Sequence, residues 1–93
     1  METKIRVRAN IVGRVQGVFF RMETQKAANH HGVSGWVKNK MDGTVEALFE
    51  GDQKNVNSVL DWCKQGPPLS RVEKVDIVNE EYLGEFTNFE VRY

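Results

Sequence analysis

Apolar and polar residues alternate in two stretches of the chain. In KIRVRANIV, at residues 4–12, apolar side chains occupy every second position, and charged or amide side chains lie between them. A period of two predicts a strand with one buried face, and its inward residues here are Ile5, Val7, Ala9 and Ile11. The stretch TVEALFE, at residues 44–50, predicts a second such strand, with the inward residues Val45, Ala47 and Phe49.

Helix-forming residues dominate METQKAANHHG, at residues 22–32. This composition predicts a helix, and we expect its inward residues to be Met22, Ala27 and Ala28. Gly32 suits the position just past the C-terminal end of a helix, where the backbone turns left-handed. Val33 then stands where such a cap is completed by a hydrophobic contact.

A second helix is predicted by spacing. One apolar stripe is formed at positions i, i+3, i+4 and i+7 by Val56, Val59, Leu60 and Cys63. This spacing is typical of a helix with one buried face. Asp52 is a candidate N-cap, and the sequence GPP at 66–68 should end the helix.

Three shorter stretches complete the predicted elements. SGWVKN at 34–39 is a strand joined to the next one by KMDG, which carries an Asp-Gly turn signal. RVEKVDIVNEE at 71–81 is a strand with a bulge expected near Val72. FTNFEVRY at 86–93 is a last short strand, with the inward residues Phe89, Val91 and Tyr93.

The order strand, helix, strand, strand, helix, strand has a well-known three-dimensional solution. Two interleaved βαβ halves form a mainly antiparallel sheet with both helices on one face, the α+β ferredoxin-like sandwich, here extended by the short last strand. We expect residues 1–93 to form a single domain of this kind. The fold hosts many functions and does not by itself indicate the chemistry.

Composition narrows the function classes. Thirteen basic and thirteen acidic residues give a formal net charge of zero, which argues against a general binder of nucleic acid or anionic membranes. No apolar run approaches the roughly 20 residues of a membrane span, and the N-terminal stretch does not resemble a signal peptide. With Cys63 as the one cysteine, no internal disulfide can form, and we expect a cytoplasmic location.

The stretch GRVQGVFFR, at residues 13–21, joins the first strand to the first helix. Main-chain amides at such a junction lack partners within the helix, and the helix dipole adds partial positive charge. Gly13 and Gly17 permit unusual backbone angles, and Arg21 can grip two oxygens at once. The stretch therefore predicts a cradle for a phosphate-sized anion, although an ordinary turn between a strand and a helix remains the alternative. We expect at least two of Val18, Phe19 and Phe20 to pack in the core.

Two motifs resemble one known family. GRVQGVFFR is similar to the N-terminal signature of the acylphosphatases. GWVKNKMDGTVEALFEG, at residues 35–51, resembles the second signature of that family, G-x-V-x-N-x-x-D-G-x-V. The similarity extends to the second helix, to SRVEKV at 70–75 and to the final FEVRY.

The resemblance implies an activity and a site. Acylphosphatases hydrolyse the carboxyl–phosphate bond of acyl phosphates, giving a carboxylate and inorganic phosphate, without a metal or another cofactor. By resemblance, Arg21 binds the phosphoryl oxygens and Asn39 holds the attacking water. The phosphate cradle is then lined by the main-chain amides of Gln16, Gly17, Val18, Phe19 and Phe20. The partners implied are a small-molecule acyl phosphate as substrate and inorganic phosphate as product.

Two other function classes remain open. Ferredoxin-like sheets also bind RNA by stacking bases on aromatic side chains. Arg6 and Arg8 on one strand, with Phe19 and Phe20 nearby, could contact such a ligand. However, the RNA-binding pattern K/R-G-F/Y-G/A-F-V-x-F/Y is absent and the net charge is zero. A non-catalytic anion sensor would need the cradle but not Asn39. We expect a monomer with no nucleic-acid or membrane partner.

Overall fold

The computed structural model describes residues 3–93. Their secondary structure runs in the order β1 (Lys4–Arg14), α1 (Phe20–His30), β2 (Ser34–Asn39), β3 (Val45–Asp52), α2 (Gln53–Gln65), β4 (Arg71–Glu80) and β5 (Phe89–Arg92). Every predicted element is present. Within these residues, no helix is long and apolar enough to cross a membrane.

The strands form one sheet in the order β4-β1-β3-β2-β5. β1 pairs antiparallel with β3 and β4, and β2 pairs antiparallel with β3 and parallel with β5. One face of this sheet packs against both helices, because the buried residues of β1 and β3 share one hydrophobic cluster with those of α1 and α2. The predicted ferredoxin-like α+β fold is confirmed.

Helix α1 begins at Phe20, two residues earlier than the composition predicts. Its buried residues are Phe20, Thr24 and Ala28. The expectation that Met22 faces inward is wrong, because its side chain is 45% exposed. Thr24 takes an inward position instead, and its hydroxyl donates a hydrogen bond to the Phe20 carbonyl at 2.7 Å, which satisfies a polar group in the core.

Both predicted helix ends are present. Gly32 has a φ of 66°, and the Val33 amide donates to the Ala28 carbonyl at 2.8 Å, as in a capped C-terminus. Helix α2 ends at Gln65, with Gly66 as its C-cap, and its buried residues are the predicted Val56, Val59, Leu60 and Cys63. Asp52 holds the N-cap position of α2 without a side-chain capping hydrogen bond; its carboxylate pairs with Lys4 at 2.6 Å.

A bulge lies where β1 meets β4. Val12 pairs with Lys74 and Gly13 pairs with Val72, so Glu73 has no partner across the ladder. A Cβ at Gly13 would lie 2.1 Å from the Arg71 carbonyl oxygen. Gly13 has a φ of 136°, the kind of unusual angle that the sequence predicts for it. It lies within β1, and the close approach of β4 also requires a glycine at this position.

The last strand ends before Tyr93. Phe89 is buried and stacks on Phe49 with a centroid separation of 5.6 Å, and Val91 packs against the core. The expectation that Tyr93 is a third inward residue of this strand is wrong, because it lies beyond β5 and is 98% exposed.

Charged residues occupy the sheet face opposite the helices. Arg6 is 8% exposed and donates to three glutamates, namely Glu80 at 3.0 Å, Glu50 at 3.3 Å and Glu85 at 2.5 Å. These contacts join β1, β3, β4 and the segment before β5. The polar side chains of β1 therefore anchor the connection that leads to β5.

Glu50 is the most deeply buried carboxylate of this network, at 1% exposure. It accepts hydrogen bonds from the main-chain amides of Leu83, Gly84 and Glu85 at 2.9 to 3.1 Å. Burial alone would raise the pKa of Glu50, but the bonds from these amides and from Arg6 outweigh it and lower the pKa below its ordinary value.

A lowered pKa in the folded state makes stability depend on pH. The contribution of Glu50 is present above its unfolded-state pKa of about 4.5 and is lost as pH falls through the lower folded-state pKa. We expect Glu50→Gln to lower the free energy of unfolding by roughly 3 kcal/mol at neutral pH, since buried Arg6 loses one partner. The variant should also lose less stability than the parent protein between about pH 5 and pH 3.

Urea unfolding followed by circular dichroism at several pH values measures both effects. Glu73→Gln, at an exposed position of β4, is the matched control and should change stability by less than about 0.5 kcal/mol. An equally steep loss of stability in acid for Glu50→Gln and the parent protein would contradict the assignment.

Candidate active site

The loop between β1 and α1 has an unusual backbone. Gly17 has a φ of 73°, and Phe19, at the N-cap of α1, has a φ of 67°. Phe19 is the one non-glycine residue with positive φ among residues 3–93. Left-handed backbone at a residue with a side chain costs about 1–2 kcal/mol, and such strain is often found at functional sites.

The amides of this loop have no hydrogen-bond acceptor among the residues that the structure describes. In the part of the chain that the structure describes, the main-chain amides of residues 16–20 donate no hydrogen bond to another residue. The first bond at this end of α1 runs from the Glu23 amide to the Phe19 carbonyl at 3.0 Å. Unpaired amides next to a helix N-terminus can donate to an anion.

The side chains of the loop point in different directions. Val18 and Phe20 are buried, which confirms that two of the three apolar residues pack in the core. Phe19 is 63% exposed. Gln16 directs its side-chain amide to the carbonyls of Lys40 and Thr44 in the β2–β3 hairpin.

Arg21 stands in the first turn of α1, one residue after the loop. Its Nη1 donates to the Arg92 carbonyl at 3.2 Å, and its guanidinium lies 4.6 Å from the centroid of the Tyr93 ring. Among residues 3–93, no carboxylate forms an ion pair with Arg21. A cation at a helix N-terminus opposes the helix dipole, so the position is explained best by an anion that is not part of the chain.

Asn39 approaches the loop from the sheet. It is the last residue of β2, where it pairs with Val45 of β3. No hydrogen bond engages its side-chain amide within the described residues, and this side chain lines the same pocket as Arg21. The position leaves both the carbonyl oxygen and the NH₂ group of this amide available to a ligand or water.

These residues surround one pocket of about 470 Å³. It contains five of the seven residues that the sequence predicts for the site, namely Gly17, Phe19, Phe20, Arg21 and Asn39. Gln16 and Val18 do not line it. The pocket is completed by Val15, Met22, Gln25, Val91 and Tyr93.

Two contributors to the site carry no signal in the sequence patterns. The ring of Tyr93 lies against the Arg21 guanidinium, and the side chain of Gln16 is hydrogen-bonded to the β2–β3 hairpin. Both contacts join segments far apart in the chain. Neither hydrophobic periodicity nor the motifs predict them, because periodicity reports only which face of an element is buried.

Other reactive groups lie elsewhere or are buried. Cys63 is fully buried in α2, and burial raises the pKa of its thiol to about 12, so the reactive thiolate is not formed at neutral pH. Among residues 3–93, no three His, Cys, Asp or Glu side chains stand close enough together to share a metal ion.

Comparisons with known proteins find relatives that match nearly the whole chain. The acylphosphatase family model matches residues 7–91. An acylphosphatase of Syntrophus aciditrophicus is 50% identical over 88 residues, which are 95% of this chain and 92% of that protein. An acylphosphatase of Syntrophobacter fumaroxidans is 49% identical over 90 residues, covering 97% and 93%.

A solved structure is similar over nearly the same span. The crystal structure of acylphosphatase from Bacillus subtilis superposes with a TM-score of 0.92 at 36% identity, covering 96% of this chain and 99% of that one. The chain belongs to the acylphosphatase family. The family and these relatives support acylphosphatase activity, which makes the protein a hydrolase.

The loop backbone can be tested with a pair of glycines. Gly17 and Gly32 both have left-handed φ values, 73° and 66°, and a Cβ at either would meet no atom within 4 Å. Alanine at each position should therefore cost a similar roughly 1–2 kcal/mol of stability. We expect Gly17→Ala alone to lower kcat/KM by about tenfold or more, because it displaces the amides of the pocket.

Chemical denaturation measures the stability of both variants, and an acyl-phosphate assay measures their kcat/KM. Gly32→Ala is the control, because Gly32 lies at the far end of α1 and does not line the pocket. Equal losses of activity in the two variants would show that general destabilisation, and not the loop, is responsible.

Proposed function

We propose that the protein hydrolyses the carboxyl–phosphate bond of acyl phosphates by direct attack of water on the phosphoryl group. Arg21 and the main-chain amides of residues 16–20 bind the phosphoryl oxygens, and Asn39 orients the water. The observation that carries the proposal is the convergence on one pocket of Arg21, Asn39 and three residues of the loop with unpaired amides, Gly17, Phe19 and Phe20.

Binding of the phosphoryl group follows from the charges. A phosphoryl dianion brings three oxygens, and the loop offers amides of fixed direction beside the helix dipole. One donor of Arg21 is bonded to the Arg92 carbonyl, and the guanidinium has four further N–H donors for the ligand. The guanidinium also lies over the Tyr93 ring, 4.6 Å from its centroid, and its planar group can donate to two oxygens at once.

The proposed reaction does not require a general acid in the site. Phosphoryl transfer has a loose transition state that is stabilised by positioning and by positive charge. The leaving carboxylate has a conjugate acid with a pKa of about 4, so it departs without being protonated. A site with an arginine, amides and an asparagine is therefore sufficient for the reaction.

Asn39 orients water and does not deprotonate it. Its carbonyl oxygen can accept a hydrogen bond from water, but an amide is too weakly basic to take the proton. We assign the proton to an oxygen of the phosphoryl group itself. The O–P bond to the acyl group breaks as the water oxygen bonds to phosphorus, giving a carboxylate and inorganic phosphate.

The alternative functions have weaker support. Arg6, which could have contacted RNA, is buried and paired with three glutamates. Arg8 pairs with Glu46 and Glu80, and Phe20 is in the core. A purely anion-sensing module would not require Asn39 in the pocket. We therefore propose a small-molecule acyl phosphate as the partner and no nucleic acid.

We further propose that residues 1–93 act as one domain and that the protein works as a monomer in the cytoplasm. The single cysteine is buried and cannot form an internal disulfide, which is consistent with a reducing compartment. Arg21 and Asn39, the two side chains proposed to act in the reaction, line the same pocket of this chain, so the proposed reaction calls on no residue of a second copy.

Substitution of the two proposed side chains tests their roles. We expect Arg21→Ala and Asn39→Ala each to lower kcat by roughly 10²–10³-fold, since each removes a preorganised contact to the transition state. Both variants should remain folded, because neither side chain belongs to the buried core. Circular dichroism and hydrolysis of benzoyl phosphate measure the two properties, and a folded Arg21→Ala protein of normal activity would refute the proposal.

A second test separates the function classes. Hydrolysis of acetyl phosphate and benzoyl phosphate should continue in the presence of a metal chelator. Phosphate binding without turnover would instead indicate the anion sensor. Salt-sensitive retention of RNA without turnover would indicate the RNA-binding module.

A further inference from the structure

The side-chain amide of Gln16 is bonded at both of its hydrogens. Nε2 donates to the Lys40 carbonyl at 2.7 Å and to the Thr44 carbonyl at 2.9 Å. A glutamine NH₂ group has two donors, so both are used for one hairpin. Gln16 thereby joins the loop before α1 to the turn between β2 and β3.

These two carbonyls belong to the residues on either side of the β2–β3 turn, Lys40 and Thr44. The Lys40 amide donates to the Thr44 carbonyl at 2.9 Å, which makes Lys40 and Thr44 the last bonded pair before the turn. Asn39 immediately precedes Lys40 and is the last residue of β2. The Gln16 contact therefore lies one residue from the side chain proposed to hold water.

Other contacts of this turn do not reach the loop. Asp42 accepts hydrogen bonds from the Thr44 amide at 3.0 Å and hydroxyl at 2.6 Å, entirely within the turn. Asn10 Oδ1 accepts a hydrogen bond from Lys40 Nζ at 3.3 Å and lies 3.2 Å from the hydroxyl oxygen of Thr44, which ties the turn to β1. Among the hydrogen bonds of residues 3–93, those of Gln16 alone connect this turn with residues 16–20.

We infer that the Gln16 side chain is a positioning residue, which sets the distance between the water held by Asn39 and the phosphoryl group held by the loop. The inference rests on the proposed function and adds a role for the side chain of Gln16, whose main-chain amide belongs to the proposed cradle. In-line attack needs the water on the side of phosphorus opposite the leaving group. The two halves of the site come from different elements, so a direct bond between them fixes this geometry.

The experiment uses Gln16→Met, which keeps an unbranched side chain of similar length and removes both donors. We expect kcat for benzoyl phosphate to fall by roughly 10- to 100-fold, as for a small misplacement of reacting groups. The inhibition constant of inorganic phosphate should stay within about twofold, because the main-chain amides remain. Gln16→Ala should give the same pattern, so a folding defect of one variant does not decide the result.

A double-mutant cycle with Asn39→Ala tests whether Gln16 acts through Asn39. In the Asn39→Ala background, Gln16→Met should change kcat by less than about twofold. An equal fall of kcat in both backgrounds, or a rise of the phosphate inhibition constant as large as the fall of kcat, would overturn the inference. An unchanged kcat in Gln16→Met would overturn it as well.

Asp42→Ala is the matched control for loosening of the hairpin. It removes two hydrogen bonds from the same turn without touching the loop. We expect it to lower stability while kcat stays within about threefold of the parent value. A fall of kcat equal to that of Gln16→Met would show that any weakening of the turn has the same effect, and would overturn the role of Gln16.

A spectroscopic measurement separates failure of this inference from failure of the proposed function. The NMR signals of the Asn39 side-chain NH₂ group should shift in Gln16→Met and stay in place in Gln53→Met, an exposed glutamine at the start of α2. Unshifted Asn39 signals in Gln16→Met would overturn the inference whatever the enzyme kinetics. An Asn39→Ala protein of normal activity would instead overturn the proposed function.

Discussion

The arrangement of the site depends on how the main chain passes from β1 into α1. Two left-handed residues, Gly17 and Phe19, bend the chain so that the amides of residues 16–20 find no acceptor within the described residues. The strain at Phe19 is offset by burial of its neighbours Val18 and Phe20 in the core. A loop held in this way does not need to reorganise when an anion arrives, which is the condition for strong electrostatic stabilisation.

A second cluster of main-chain amides in this protein donates to a carboxylate of the protein itself. The amides of Leu83, Gly84 and Glu85 converge on the Glu50 carboxylate, as amides of a loop converge on a bound anion. This contact fastens the segment that leads to β5, and Tyr93 just after β5 stacks on Arg21. The buried network on one face of the sheet is thus connected through the chain to the pocket at its end.

Local patterns predict most of the fold and part of the site. The stripe of α2 and the strands β1 and β3 follow from periodicity because each depends only on which side chains are buried. Met22 was misplaced because the inward stripe of α1 runs through Phe20, Thr24 and Ala28, and Phe20 lies outside the helix that the composition predicts. The role of Gly13 and the burial of Arg6 depend on partners more than 40 residues away in the chain, and no local pattern reports such contacts. For Arg21 and Asn39, the family motifs supplied what spacing alone could not.

The directions of the side chains in the loop determine which of its residues can be substituted without changing the main-chain donors. Donors that belong to the backbone are retained whichever side chain the gene encodes at those positions, provided that the chain keeps its path. The exposed side chain of Phe19 could therefore be exchanged during evolution without loss of these donors, whereas Val18 and Phe20 are held by the hydrophobic interior. The main-chain donors and the exposed side chain of this loop would then change independently of each other, although five consecutive codons encode both.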